Sequence, residues 1–93
     1  MTTMNELIGK AVIGSKAHTL GNVNDVEVDT EKWQVTHLHV SLTSEATKEF
    51  GLKKPFMGSM TVCLPVSLIQ AVADIVALNK DIVELKDVIE PRS

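Results

Sequence analysis

The sequence predicts an all-β domain, a small barrel or folded-over sheet of about five or six short strands with a short C-terminal helix. Three observations carry that prediction. Two long segments, within residues 20–29 and 35–42, alternate apolar and polar side chains with the period of a half-buried strand. Shorter apolar runs at residues 60–65 and 75–78 end in proline or in an asparagine-lysine turn, as strands do. The end of the chain, residues 81–90, places Ile82, Leu85, Val88 and Ile89 on one helical face.

The elements follow in order. Residues 5–14 set apolar side chains between Gly9 and Gly14 and predict a short strand closed by a turn over residues 15–18. From Asn24 onward the next segment alternates, with Val26 and Val28 on one face and Asp25, Glu27 and Asp29 on the other. Residues 30–33 are polar enough for a hairpin connection, after which Leu38, Val40 and Leu42 point inward. Ser44 to Glu49 can form one helical turn, and residues 50–58 break the period as an irregular, partly apolar loop. A strand at 60–65 stops at Pro65, residues 67–73 wind into a short helix, and residues 75–78 form a strand. In the last helix Asp81 caps the first amides, Glu84 reaches back to it, and Pro91 marks the end. The whole is one domain over residues 1–93, with the barrel at about 6–79 and the helix at about 81–90.

Composition bounds the function. A chain of 93 residues buries about two-thirds of its unfolded surface and builds one core, and with 3% aromatics that core is aliphatic. The net charge of −3 supplies no positive field to gather phosphates, so nucleic acid is not an expected partner. Cys63, the one cysteine, excludes an internal disulfide and fits the reducing cytoplasm. No run approaches the roughly 18 apolar residues of a membrane span, and no signal-peptide plan opens the chain, so direct membrane insertion is not expected.

Four stretches belong together: LIGKAV at residues 7–12, LGNVNDVEVD at 20–29, VCLP at 62–65 and IVAL at 75–78. As an ordered set, over about Leu7 to Ile89, they resemble the PRC-barrel family. The resemblance implies a small PRC-type β-barrel of the kind found as the cytoplasmic domain of the photosynthetic reaction centre H subunit and as the C-terminal domain of a ribosome-maturation factor. In both settings the barrel is a docking module. The chain looks closest to the short stand-alone archaeal members, whose central loop residues 50–58 resemble. Some of those members are linked to archaeal cell division through proteins associated with the division ring.

Chemistry-bearing residues are few. His37 and His39 point to one face of their strand, the face on which the neighbouring strand carries Asp25 and Glu27. If Val26 lies opposite Leu38, Glu27 faces His37 and Asp25 faces His39; a two-residue shift puts Asp25 opposite His37 instead. The expectation is a solvated outer face without bound metal, the alternative a metal-binding protein using His37 and His39. Cys63 has no CxxC partner and is expected on a strand opposite that barrel wall, as a packed thiol. His18, in a turn, adds nothing firm. No nucleophile elbow, phosphate-binding glycine loop or paired acid motif is present, so neither catalysis nor a cofactor is expected.

The partner-binding candidates are Phe50, Leu52, Lys53, Lys54, Pro55, Phe56 and Met57, which combine large apolar groups with a small basic spot in one irregular segment. The expected function is a cytoplasmic, non-enzymatic adaptor that forms a homodimer and joins another protein, in an archaeal cell-division assembly. An RNA-processing or ribosome-assembly barrel is the alternative. Its basic stripe would have to come from Lys48, Lys53 and Lys54.

Overall fold

In the computed structural model the described residues are 3–49, 60–85 and 90–92. Helix α1 (Met4–Leu7) leads into β1 (Ala11–Ile13), and a turn connects it to β2 (Thr19–Asp29). A hairpin joins β2 to β3 (Gln34–Leu42), followed by α2 (Ser44–Glu49) and β4 (Thr61–Pro65). A 3₁₀ turn over Val66–Leu68 precedes β5 (Ile69–Val72), β6 (Val76–Leu78), α3 (Ile82–Leu85) and β7 (Glu90–Arg92). The strands form one sheet in the order β5-β6-β1-β2-β3-β4-β7, all pairs antiparallel except β1 with β6.

This is the expected all-β, barrel-like architecture, left open between β5 and β7 among the described residues. Leu68, Val76 and Leu78 from one end of the strand order share a single core cluster with Val62 and Leu64 from near the other end. The sheet must therefore curl round one interior to bring its ends together. Ala46 of α2 and Leu85 of α3 belong to the same cluster. The core is aliphatic throughout the described residues, as the scarcity of aromatics requires.

The longest pairing, β2 with β3, takes the register in which Val26 faces Leu38, Glu27 faces His37 and Asp25 faces His39. Leu38, Val40 and Leu42 are buried, as their alternation predicts. Two irregularities interrupt the ladder. One skips Asn24, so that Val23 and Val26, three residues apart, both serve the core side; the other skips Thr36 and brings Val35 to that side with Leu38. The connecting turn is held by Asp29, whose Oδ1 accepts from the amides of Glu31 (2.9 Å) and Lys32 (3.3 Å).

Four expectations change. Residues 5–7 are helical because Thr3 caps them, its Oγ1 accepting from the Glu6 amide at 3.2 Å, and the strand begins only at Ala11. Residues 69–72, expected in a short helix, form β5: the antiparallel ladder offered by β6 pairs Ile69 with Leu78 and Val72 with Val76. The C-terminal helix does not reach residue 90, because Glu90–Arg92 pairs with Thr61, Val62 and Cys63 as β7. Pro91 is tolerated there because β7 lies at a sheet edge, where a missing amide donor need not break a ladder. Cys63, finally, is not across the barrel from the histidines; β4 lies directly beside β3 and pairs Cys63 with His39.

Close approach limits which residues fit. A Cβ on Gly21 would lie 1.8 Å from the carbonyl oxygen of Ser41, which belongs to the facing backbone and cannot rotate away. Gly21→Ala is expected to push β2 from β3 and lower unfolding free energy by about 1–3 kcal/mol, measured by urea denaturation. An unchanged midpoint would show that the two strands are not this close.

Candidate functional site

The polar face of the sheet is built by alternation. On β4, Val62 and Leu64 enter the core cluster, so Cys63 between them points to the other face. On β3 the same parity sends His37 and His39 away from Leu38 and Val40, and on β2 it does so for Glu27 beside Val26. Three adjacent strands thus place Glu27, His39 and Cys63 on one patch.

These side chains meet at a single atom. Glu27 Oε2 accepts from the Nε2–H of His39 at 2.9 Å and from the thiol of Cys63 at 3.1 Å. His39 therefore reaches diagonally past its cross-strand partner Asp25, whose Oδ1 accepts instead from the Val26 amide at 2.8 Å. His37 is turned to its neighbour, with Nδ1 3.0 Å from Thr36 Oγ1. The side chain of Glu27 is 44% exposed and that of His39 27%, whereas Cys63 is 5% exposed. Hydrogen bonds from Cys63 and then His39 hold the Glu27 carboxyl below its ordinary value of 4.5, with the positive potential of His39 and His37 adding to them.

The order of this chain matters chemically. The carboxylate accepts from both thiol and imidazole, so the thiol proton is directed at Glu27. One ligand atom from each of the three residues lies within 4.8 Å of the others. Among the described residues no other group of three such side chains comes so close.

Elsewhere, His18 has a definite partner. Its Nδ1 lies 3.0 Å from Oδ2 of buried Asp81, whose Oδ1 also accepts from the Lys16 amide at 3.3 Å. Glu84 reaches back to the Asp81 amide at 3.3 Å, as the capping pattern predicts. A Cβ on Gly14 would stand 2.6 Å from Asp81 Oδ1, so this contact needs glycine at the turn. Beside it an open pocket of about 390 Å³ is lined by His18, Thr19, Thr43, Glu45, Ala46 and Glu49. Thr43 Oγ1 is engaged there in accepting the Ala46 amide at 3.0 Å, as the cap of α2.

The partner-binding candidates Phe50, Leu52, Lys53, Lys54, Pro55, Phe56 and Met57 lie outside the described residues, as do Val88 and Ile89 of the expected helix face. The described surface has its own aromatic group. Trp33 is 79% exposed at the end of the β2–β3 turn, with φ 54, in the left-handed region that side chains other than glycine and asparagine seldom take.

A sequence profile of the PRC-barrel domain matches residues 1–90. The chain belongs to the PRC-barrel family. Comparison with curated proteins finds no match. Among the described residues of this PRC barrel no helix is long and apolar enough to cross a membrane.

The polar cluster of the barrel was half legible. Glu27 and the two histidines stand out as a period-two pattern on neighbouring strands, but Cys63 does not, because nothing local places its strand next to theirs. The register of 39 against 63 is a tertiary fact.

The depressed Glu27 carboxyl makes the stability of the protein depend on pH. With the folded-state value below 4.5, the unfolded chain binds more protons in that range. The stabilisation is fully present above 4.5 and is lost as pH falls through the folded-state value. Glu27→Gln removes it, so the difference in stability between wild type and variant should shrink as pH falls from about 6 to about 3 in urea titrations. A difference that stays constant over this range would mean that the two hydrogen bonds do not favour the ionised form.

Proposed function

We propose that this PRC barrel is a non-enzymatic docking module that pairs with a second copy of itself and holds another protein. The observation that carries the reading is the open sheet. Among the described residues β5 pairs only with β6, and Val72 at its end and Ile75 just beyond are exposed. Such an edge offers backbone donors and acceptors to another chain, with apolar side chains alongside to exclude water. Trp33, an exposed aromatic held in an unfavourable backbone conformation, supplies a further apolar anchor.

The segment 50–57 is assigned the main contact, because it holds two of the three aromatics of the chain together with Leu52, Met57 and the lysines at 53 and 54. Buried aromatics dominate interface energies, whereas rim lysines tune association rate and salt dependence. The resemblance to short stand-alone archaeal members supports a cytoplasmic place in a cell-division assembly, with the partner among proteins of the division ring. The net charge of −3 weighs against an RNA-binding role.

Light scattering at tens of micromolar should give twice the chain mass, and a monomer there would remove the self-association half of the proposal. Phe56→Ala should weaken dimerisation or partner capture by about 2 kcal/mol or more, far beyond Lys53→Ala. Circular dichroism and thermal unfolding must accompany the measurement, since truncating a phenylalanine packed in a core costs about 3–5 kcal/mol of stability and would imitate lost binding. A Phe56→Ala protein that keeps its fold, its dimer and its partners would move the contact from residues 50–57 to the β5 edge.

A further inference from the structure

We propose that Glu27, His39 and Cys63 form a binding site for one zinc-class divalent cation on the outer face of the barrel. The ligand set is the first reason. A thiolate, an imidazole and a carboxylate select a borderline-soft ion such as zinc over magnesium or calcium, which take oxygen ligands.

Geometry is the second. Metal–ligand lengths of about 2.0–2.3 Å in a tetrahedral arrangement put ligand atoms about 3.3–3.6 Å apart. Here Oε2 of Glu27 is 2.9 Å from Nε2 of His39 and 3.1 Å from Sγ of Cys63, and all three atoms lie within 4.8 Å of one another. Opening these contacts by about half an ångström is a small rotation for an exposed glutamate side chain. Nε2 of His39 and Sγ of Cys63, on cross-strand partners and within 4.8 Å of each other, draw together by up to about 1 Å, which rotation of the two side chains supplies.

Charge is the third. In the metal-free state two protons, on sulfur and on Nε2, are aimed at one carboxylate oxygen. A cation placed among the three atoms takes over that role. The thiol proton passes to solvent as the thiolate–metal bond forms, and neutral His39 binds through Nε2 as its Nδ1–H tautomer. The protein supplies two negative ligands and one neutral one, which match the charge of a divalent ion.

The exposure pattern completes the site. Cys63, at 5% exposed, is shielded from solvent, while Glu27 and His39 leave an approach from the outer face and room for water as a fourth ligand. The ion would staple β2, β3 and β4 at their polar face. His37, next on the same face but turned to Thr36, is not a member. The site thus differs from the His37 and His39 pair that the sequence offers as the metal alternative.

The test uses the full chain, reduced and stripped with a chelator, titrated with Zn²⁺ by calorimetry and with Co²⁺ by absorbance. Expected are one ion per chain, a thiolate-to-cobalt charge-transfer band, and proton release whose heat scales with the ionisation enthalpy of the buffer. His37→Gln should leave all three unchanged. His39→Gln and Glu27→Gln should weaken binding by at least about tenfold, and Cys63→Ser should abolish the charge-transfer band. Circular dichroism checks each variant, and if Cys63→Ser fails to fold, the wild-type band and the Glu27→Gln titration still decide. Absence of a charge-transfer band in the wild type, or equal affinity in wild type and Glu27→Gln, would overturn the site and leave the three residues as a hydrogen-bonded tie between strands.

Discussion

The structure depends on the pairing of β2 with β3 at a single register. Gly21 lies so close to the Ser41 backbone that no side chain fits between them, and from that approach the ladder runs to the hairpin at residues 30–33. The register decides two things at once, because side chains alternate across a strand: Val26 and Leu38 face the core together, and Glu27 and His39 share the opposite face. A slip by one residue would exchange the two sets, burying a carboxylate and two imidazoles while exposing the valines and leucines. The cost of burying those polar groups is what holds the register.

The skipped residues Asn24 and Thr36 extend that logic over strands longer than a flat sheet would support. Each inserts one residue, so apolar side chains three apart in sequence remain on the concave side while the strand bends. Bending lets β5 and β6 at one end and β4 at the other contribute to a common interior of leucine and valine, with Ala46 and Leu85 from the helices. A domain with few aromatics must fill its core with many small aliphatic groups, and a curled sheet surrounds them from several sides.

On the convex side the constraint is polar. Cys63 is largely sequestered and its thiol has a carboxylate within reach, while the same oxygen serves His39. Two donors on one acceptor favour the ionised carboxylate and fix the relative positions of three strands. The features assigned to docking, the segment 50–57, the β5 edge and Trp33, include none of these three residues. Loss of the proposed docking and loss of the polar cluster are therefore expected to be separable by mutation.

Local sequence sufficed where a segment's environment is set by its own periodicity. The alternation of Leu38, Val40 and Leu42, the hairpin connection at residues 30–33 and the return of Glu84 to the Asp81 amide are readable, because each depends on residues within a few positions. Glu27, His37 and His39 were recognisable as one face, with the register left between two choices. Residues 69–72 were not readable as a strand, since their short apolar run suits either helix or sheet and β6 decides which. Cys63 could not be joined to its partners at all. It lies 36 residues from Glu27 in sequence, and only the docking of β4 on β3, driven by the burial of Val62 and Leu64, brings its sulfur to that carboxylate. The sequence by itself thus determined the all-β class and which faces are polar, because periodicity is local; the tertiary structure alone decided which polar groups meet, because strand order is set by burial between distant segments.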